Sequence, residues 1–140
     1  MRSRLFETAK IIVYTDGGSR GNPGPSAMGV IVAGKKYGEY IGIATNNQAE
    51  YKAVIFALKK VRQLVGKKKT READVEVRMD SELVVCQLSG EYKIEESELK
   101  PLFVDVWNLR MDFKNLKFVH VPREKNREAD RMVNEVLDRK

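Results

Sequence analysis

Lys10-Ile11-Ile12-Val13-Tyr14-Thr15-Asp16-Gly17-Gly18-Ser19-Arg20-Gly21-Asn22-Pro23-Gly24-Pro25 is the stretch on which the reading of the whole chain turns. Ile11 to Thr15 are β-branched or aromatic and read as a buried strand. The nine residues after Asp16 hold four glycines and two prolines, which predicts a tight turn whose backbone N–H groups can approach a ligand closely. Asp16 is therefore expected at the end of a core strand, exposed together with the turn. An Asp followed by Gly is ordinary turn chemistry by itself, so its meaning depends on whether other carboxylates converge on it.

The 140 residues suit one domain with a real core, expected over residues 1–140, with residues 1–9 a short flexible N-terminal segment. A single cysteine, Cys86, excludes an internal disulfide and a zinc site built on cysteines. There is no apolar run long enough to cross a membrane and no signal-peptide pattern, so a soluble, intracellular (cytoplasmic) protein with no membrane partner is expected. The net charge of +6 permits a polyanionic partner without requiring one.

Beyond the turn, Ala27 to Ala33 reads as a second strand, Gly34-Lys35-Lys36 as a turn and Tyr37 to Ala44 as a third strand, an antiparallel meander. Thr45-Asn46-Asn47-Gln48-Ala49-Glu50 then opens the strongest helix, with Ala49, Ala53, Phe56, Ala57, Val61 and Leu64 at spacings of three and four. Asn47 and Glu50 have capping-box spacing, which offers Glu50 a purely structural role. Gly66 to Glu72 reads as a basic, solvated loop. Val75, Val77 and Met79 alternate with charged residues in a fourth strand that runs up to Asp80, and Ser81 starts a helix. The long helix between the third and fourth strands allows a parallel crossover, with the fourth strand beside the first and both C-terminal ends together. A helix from Leu99 to Leu109, a fifth strand from Leu116 to Val121, a loop from Pro122 to Lys125 and a last helix complete the chain. Ala129, Met132, Val133, Val136 and Leu137 stripe that last helix, and Asp130 and Asn126 fall at the margin of the stripe. The expected class is thus α/β: a five-stranded mixed sheet, antiparallel β1-β2-β3 and parallel β1/β4/β5, flanked by helices.

Four acids, Asp16, Glu50, Asp80 and Asp130, sit where these elements begin, end or meet the core. Each has a structural explanation alone, as a turn or cap residue. Gathered at one end of a sheet they would repel and raise one another's pKa unless cations neutralised them. Carboxylates without Cys or clustered His favour Mg²⁺ or Mn²⁺ over zinc or copper, and two such ions support in-line displacement at phosphorus.

Asp16 to Pro25, Thr45 to Glu50, Asp80-Ser81 and Asn126-Arg127-Glu128-Ala129-Asp130 resemble, in order, the motifs of ribonuclease H type 1, from about Lys10 to the C-terminus. The resemblance implies the ribonuclease H-like fold and hydrolysis of the RNA strand of an RNA–DNA hybrid, leaving 5′-phosphate and 3′-hydroxyl ends. It implies two Mg²⁺ or Mn²⁺ ions, bridged by Asp16, with Asp130 on the ion that holds the attacking water and Glu50 and Asp80 on the other. It also implies substrate contacts from Gly17, Gly18, Ser19 and Asn22 in the turn and from Thr45, Asn46, Asn47 and Asn126. The 2′-hydroxyl, the group that separates RNA from DNA, would be read by Asn22, the turn backbone and Glu50.

The chain departs from this family in two places. Gly90 to Leu99 is short and more acidic than basic where well-studied bacterial members carry a basic protrusion, so substrate grip is expected from Lys67-Lys68-Lys69, Arg71 or the tails. Ile43 stands where some relatives place an Arg for the DNA phosphate. His120 and Arg123 are alternative assistants to the carboxylates, His120 by its separation from Asp130 and Arg123 by its place in the loop. Two other functions stay open at this point: a broader nuclease that also cuts double-stranded RNA, and a non-catalytic hybrid- or RNA-binding module. The protein is expected to act as a monomer on an RNA–DNA hybrid duplex, with double-stranded RNA as the further partner.

Overall fold

The computed structural model describes residues 10–140, so the expectation for residues 1–9 lies outside the described residues. The elements are β1 (Lys10–Ser19), β2 (Gly24–Val32), β3 (Lys35–Ala44), α1 (Asn46–Glu72), β4 (Asp74–Met79), α2 (Glu82–Leu88), α3 (Lys100–Arg110), β5 (Asn115–His120) and α4 (Arg127–Asp138), with single 3₁₀ turns at Ser97–Leu99 and Arg123–Lys125. The sheet order is β3-β2-β1-β4-β5. β1, β2 and β3 pair antiparallel, while β4 runs parallel to β1 and β5 parallel to β4, as the alternation patterns and the helical crossover predict. Among the described residues no helix is long and apolar enough to cross a membrane.

Register positions the acids. Tyr14 pairs with Arg78, so Asp16 and Asp80, each two residues further on, come level just past the end of the parallel β1–β4 pairing. Met79 pairs with His120, which brings the end of β5 to the same edge. On one face of the sheet α1 buries Tyr51, Val54, Leu58 and Val61 against Val13, Val30, Val75 and Val77, and α3 packs outside α1. On the other face α4 lies across β2, β3 and β1 and buries Val133, Val136 and Leu137 with Ala27.

Three expectations change. β1 does not stop at Asp16: Gly17 and Gly18 continue it, paired with Met28 and Ala27, and the turn proper is confined to residues 20–23. Glycine normally weakens a strand, but here helices press on both faces: a side chain at Gly17 would collide with the backbone of α1, and one at Gly18 would crowd Val133 of α4. The basic stretch is not a loop either. α1 kinks at Gly66, which has φ 86°, and helical turns resume through Glu72. Thr70, fully buried, fixes this segment by donating its hydroxyl to the Gly66 carbonyl at 2.7 Å. The start of α1 is capped by Thr45 and Gln48, not by Asn47 and Glu50. The Thr45 hydroxyl accepts from the Gln48 N–H at 3.1 Å, and the Gln48 side chain accepts from the Thr45 N–H at 2.9 Å. Glu50 is thereby released from the structural role that its spacing offered.

Candidate active site

Asp16 belongs to the central strand, Glu50 to the first turns of α1, Asp80 to the residue after β4 and Asp130 to the first turn of α4. Oxygens of Asp16, Glu50 and Asp80 lie within 4.8 Å of one another. Asp130 lies outside that trio but near enough for its charge to bear on the Asp16 carboxyl. Asp16 and Glu50 are 6% and 8% exposed, whereas Asp80 and Asp130 are half-buried, so the cluster has a dry floor and a wet rim. All four line one open cleft of about 510 Å³.

Such a floor is electrostatically unfavourable. Burial first, then the charges of Asp80 and Asp130, push the Asp16 carboxyl up to about 8, with the Gly17 N–H opposing. Burial first, then Asp16 and Asp80, hold Glu50 well above the usual carboxylate range. Asp80 is raised as well, chiefly by burial, with Arg123 as the largest opposing influence. Glu50 Oε1 is buried and has no hydrogen-bond partner. A buried acceptor without a donor, facing two more carboxylates, fits a hard divalent cation, and the all-oxygen donor set suits Mg²⁺ or Mn²⁺.

Backbone contact brings Asp16 and Glu50 together. A Cβ on Gly17 would stand 2.3 Å from the Ala49 carbonyl and 2.5 Å from the Glu50 nitrogen, so α1 rests directly on β1 only because residue 17 is glycine. The glycine-rich turn is held in the same way. The Ser19 N–H donates to Asn46 Oδ1 at 2.8 Å, the Asn46 N–H donates to Asn22 Oδ1 at 2.9 Å, and the Ser19 hydroxyl donates to the Ala44 carbonyl at 2.8 Å. Asn22 and Asn46 thus spend their oxygens on the framework, and their NH₂ groups have no partner among the described residues.

The remaining expected residues separate into two groups. Gly17, Gly18, Ser19 and Asn46 line the cleft beside the acids. Thr45 is the helix cap, and Asn47 donates its amide to Glu96 of the acidic loop at 3.2 Å. Asn126, expected at the substrate, is 2% exposed and donates to the Thr15 carbonyl at 2.9 Å, tying the start of α4 to the residue before Asp16. Arg123 lines the cleft, with Nη2 3.9 Å from Asp130, whereas His120 is the exposed last residue of β5 and does not line it. Lys67 to Arg71 lie at the far end of α1 from Glu50. Arg20, Val133, Asn134 and Leu137 line the cleft although motif reading passed over them. Asn134 was accessible from helical spacing, four residues after Asp130 on the same face.

A β3-β2-β1-β4-β5 sheet with helices on both faces and carboxylates at the carboxyl edge of its central strands defines a protein of the ribonuclease H fold. Residues 14–136 match the family model described as reverse transcriptase-like. The chain is 41% identical to ribonuclease HI of Halobacterium salinarum, over 92% of this chain and 65% of that protein. It is 37% identical to the bifunctional protein Rv2228c of Mycobacterium tuberculosis, over 92% of this chain but 36% of that one. The chain therefore spans about a third of the mycobacterial relatives it matches and just under two thirds of the halobacterial one. The solved structure of LC11-RNase H1 in complex with an RNA/DNA hybrid superposes with a TM-score of 0.86 at 46% identity, covering 92% of this chain and 97% of that one. The chain belongs to the ribonuclease H type 1 family.

Proposed function

We propose that the protein is an endoribonuclease that hydrolyses the RNA strand of RNA–DNA hybrids with Mg²⁺ or Mn²⁺, leaving 5′-phosphate and 3′-hydroxyl ends. The observation that carries this reading is the convergence of four carboxylates on one cleft, with a buried Glu50 oxygen left for a ligand to satisfy. Family membership, and the hybrid held by LC11-RNase H1, support an RNA–DNA hybrid as the substrate.

Asp16, Glu50, Asp80 and Asp130 would hold the divalent ions. When bound, such ions supply a nucleophilic water at neutral pH and neutralise charge on the reacting phosphate. The protein's own task is rigidity. Asp16 is fixed in the ladder with β2, two residues past the last β1–β4 pair, and Glu50 is fixed by the Gly17 contact, so neither carboxylate has far to move when it becomes a ligand. The Gly17 N–H favours the ionised forms of both acids, which are the forms that bind metal. At the rim, Arg123 supplies a cation at the mouth of the acidic cleft, where a phosphodiester must enter. Asn22 and Asn46 present NH₂ donors from a turn whose oxygens are already committed, suited to the 2′-hydroxyl and ribose of an RNA strand.

The test is cleavage of end-labelled RNA–DNA hybrid, double-stranded RNA and DNA duplex, each with Mg²⁺, Mn²⁺ or chelator. Metal-dependent cutting of the RNA strand of the hybrid is expected. Equal rates on double-stranded RNA would replace hybrid selectivity with a broader specificity, and no metal-dependent cutting of any substrate would leave only a binding module.

A further inference from the structure

We infer that Gly29, which has no functional group, is a positioning residue for the acidic cluster: the missing side chain sets how deeply α4 lies on the sheet, and so how close Asp130 comes to Asp16. The inference rests on reading the four carboxylates as the metal-binding site.

Gly29 is the direct antiparallel partner of Asp16. Residues opposed in this way project to the same face of a sheet, here the face that α4 covers. A Cβ at Gly29 would stand 2.3 Å from the Ala129 carbonyl oxygen, 3.1 Å from the Ala129 carbonyl carbon and 3.1 Å from Met132 Cβ. Carbon atoms pack at about 3.5–4 Å, so the helix would have to withdraw by roughly an ångström. Ala129 is fully buried and immediately precedes Asp130, whose N–H is bonded to the Asn126 carbonyl at 3.1 Å. A shift at Ala129 therefore carries Asp130 with it.

Two neighbouring glycines show why Gly29 decides the matter. Gly18 on β1 and Gly38 on β3 also lie under α4, and Gly38 pairs with Gly29. A Cβ at Gly18 would meet Val133 Cγ1 at 3.2 Å, and one at Gly38 would meet Val136 Cγ2 at 3.1 Å. These are side-chain methyls only a few tenths of an ångström too close, and they can give that much. At Gly29 the obstacle is helix backbone, which cannot. A glycine inside β2, where strand propensity argues against it, thus has a reason that lies on a different element.

The experiment compares Gly29→Ala with Gly38→Ala by thermal unfolding, by calorimetric titration of the metal-free protein with Mn²⁺, and by hybrid cleavage. Gly29→Ala is expected to lose about tenfold or more in Mn²⁺ affinity. Its turnover is expected to fall about 10²-fold, the scale of an ångström's misplacement, with little change in KM. Gly38→Ala should stay near wild type in both. Asp130→Glu lengthens the side chain, so it should recover Mn²⁺ affinity in Gly29→Ala while lowering it in the wild type. Wild-type Mn²⁺ binding and turnover in Gly29→Ala, or equal losses in Gly38→Ala, would overturn the inference. Should Gly29→Ala fail to fold, Asp130→Glu alone carries the test: it changes the Asp130–Asp16 separation without touching the sheet, and an unchanged Mn²⁺ affinity there also overturns the inference. A wild-type protein that neither binds Mn²⁺ nor cuts hybrid instead defeats the underlying reading of the site.

Discussion

At the scale of a single residue, Asp16 shows what the fold sacrifices to build its cleft. Its carboxyl, pushed up to about 8 by burial and by its acidic neighbours, holds a proton in the folded, metal-free protein that the unfolded chain, with an ordinary Asp near 3.9, has released. Between about pH 4 and pH 8 the folded state therefore binds more protons, and stability must fall as pH rises through that window. Glu50 and Asp80 are raised too and add to the same slope. In chelator the melting temperature is expected to be higher at pH 5 than at pH 8. Asp16→Asn should shrink that difference and melt higher than the wild type at pH 8, while losing cleavage altogether. Thermal denaturation followed by circular dichroism decides it: a variant no more stable than the wild type at pH 8 in chelator would mean that the cluster is not under electrostatic strain. The position of Asp16 was legible in the sequence because a β-branched run leads straight into it. Its depth was not, because burial to 6% depends on α1 and α4 closing over glycines that local composition assigns to a turn.

At the scale of elements, the decisive feature is the start of α1. Capping-box spacing is satisfied twice there, by Thr45 with Gln48 and by Asn47 with Glu50, and local pattern cannot choose between them. Tertiary structure chooses. Gly17 brings β1 against Ala49 and Glu50, which draws Glu50 toward Asp16 and leaves the cap to the earlier pair. Thr45→Ala should cost about 1 kcal/mol of stability, the ordinary loss for an N-cap, measured by urea denaturation. Asn47→Ala should cost less than half of that, since its amide bonds only to exposed Glu96. Equal losses from the two would restore the Asn47 cap and return Glu50 to a structural role. The last turns of α1 defy their local pattern for a related reason: Gly66 and three consecutive lysines have the composition of a loop, and the helix continues because Thr70 is buried beneath it. One buried hydroxyl outweighs a local signal several residues long.

At the scale of the whole molecule, charge is divided between two ends. The acids gather at the carboxyl edge of β1 and β4, while Lys67, Lys68, Lys69 and Arg71 stand at the other end of α1, roughly 25 Å from Glu50 at 1.5 Å per helical residue. The net charge of +6 thus says little about the cleft itself, where Arg20 and Arg123 are the lining cations and Arg20 is already paired with Asp138 at 2.7 Å. Composition made a polyanionic partner plausible but had no means of placing the contacts, because the distance between the lysines and the acids is set by how α1 lies on the sheet. Placement has a measurable consequence through salt. Each phosphate contact adds about 0.9 to the slope of log affinity against log salt. A hybrid of about eight base pairs, centred on the cleft, reaches only ~13 Å to either side, too short to meet the lysines. On such a substrate Arg123→Ala should flatten the salt dependence of KM by about one unit of slope, whereas replacing Lys67, Lys68 and Lys69 together by Ala should leave it unchanged. Steady-state kinetics at four or five salt concentrations separate the two variants. If the triple lysine variant flattens the slope as much as Arg123→Ala, the substrate runs along α1 and the lysines belong to the binding surface after all.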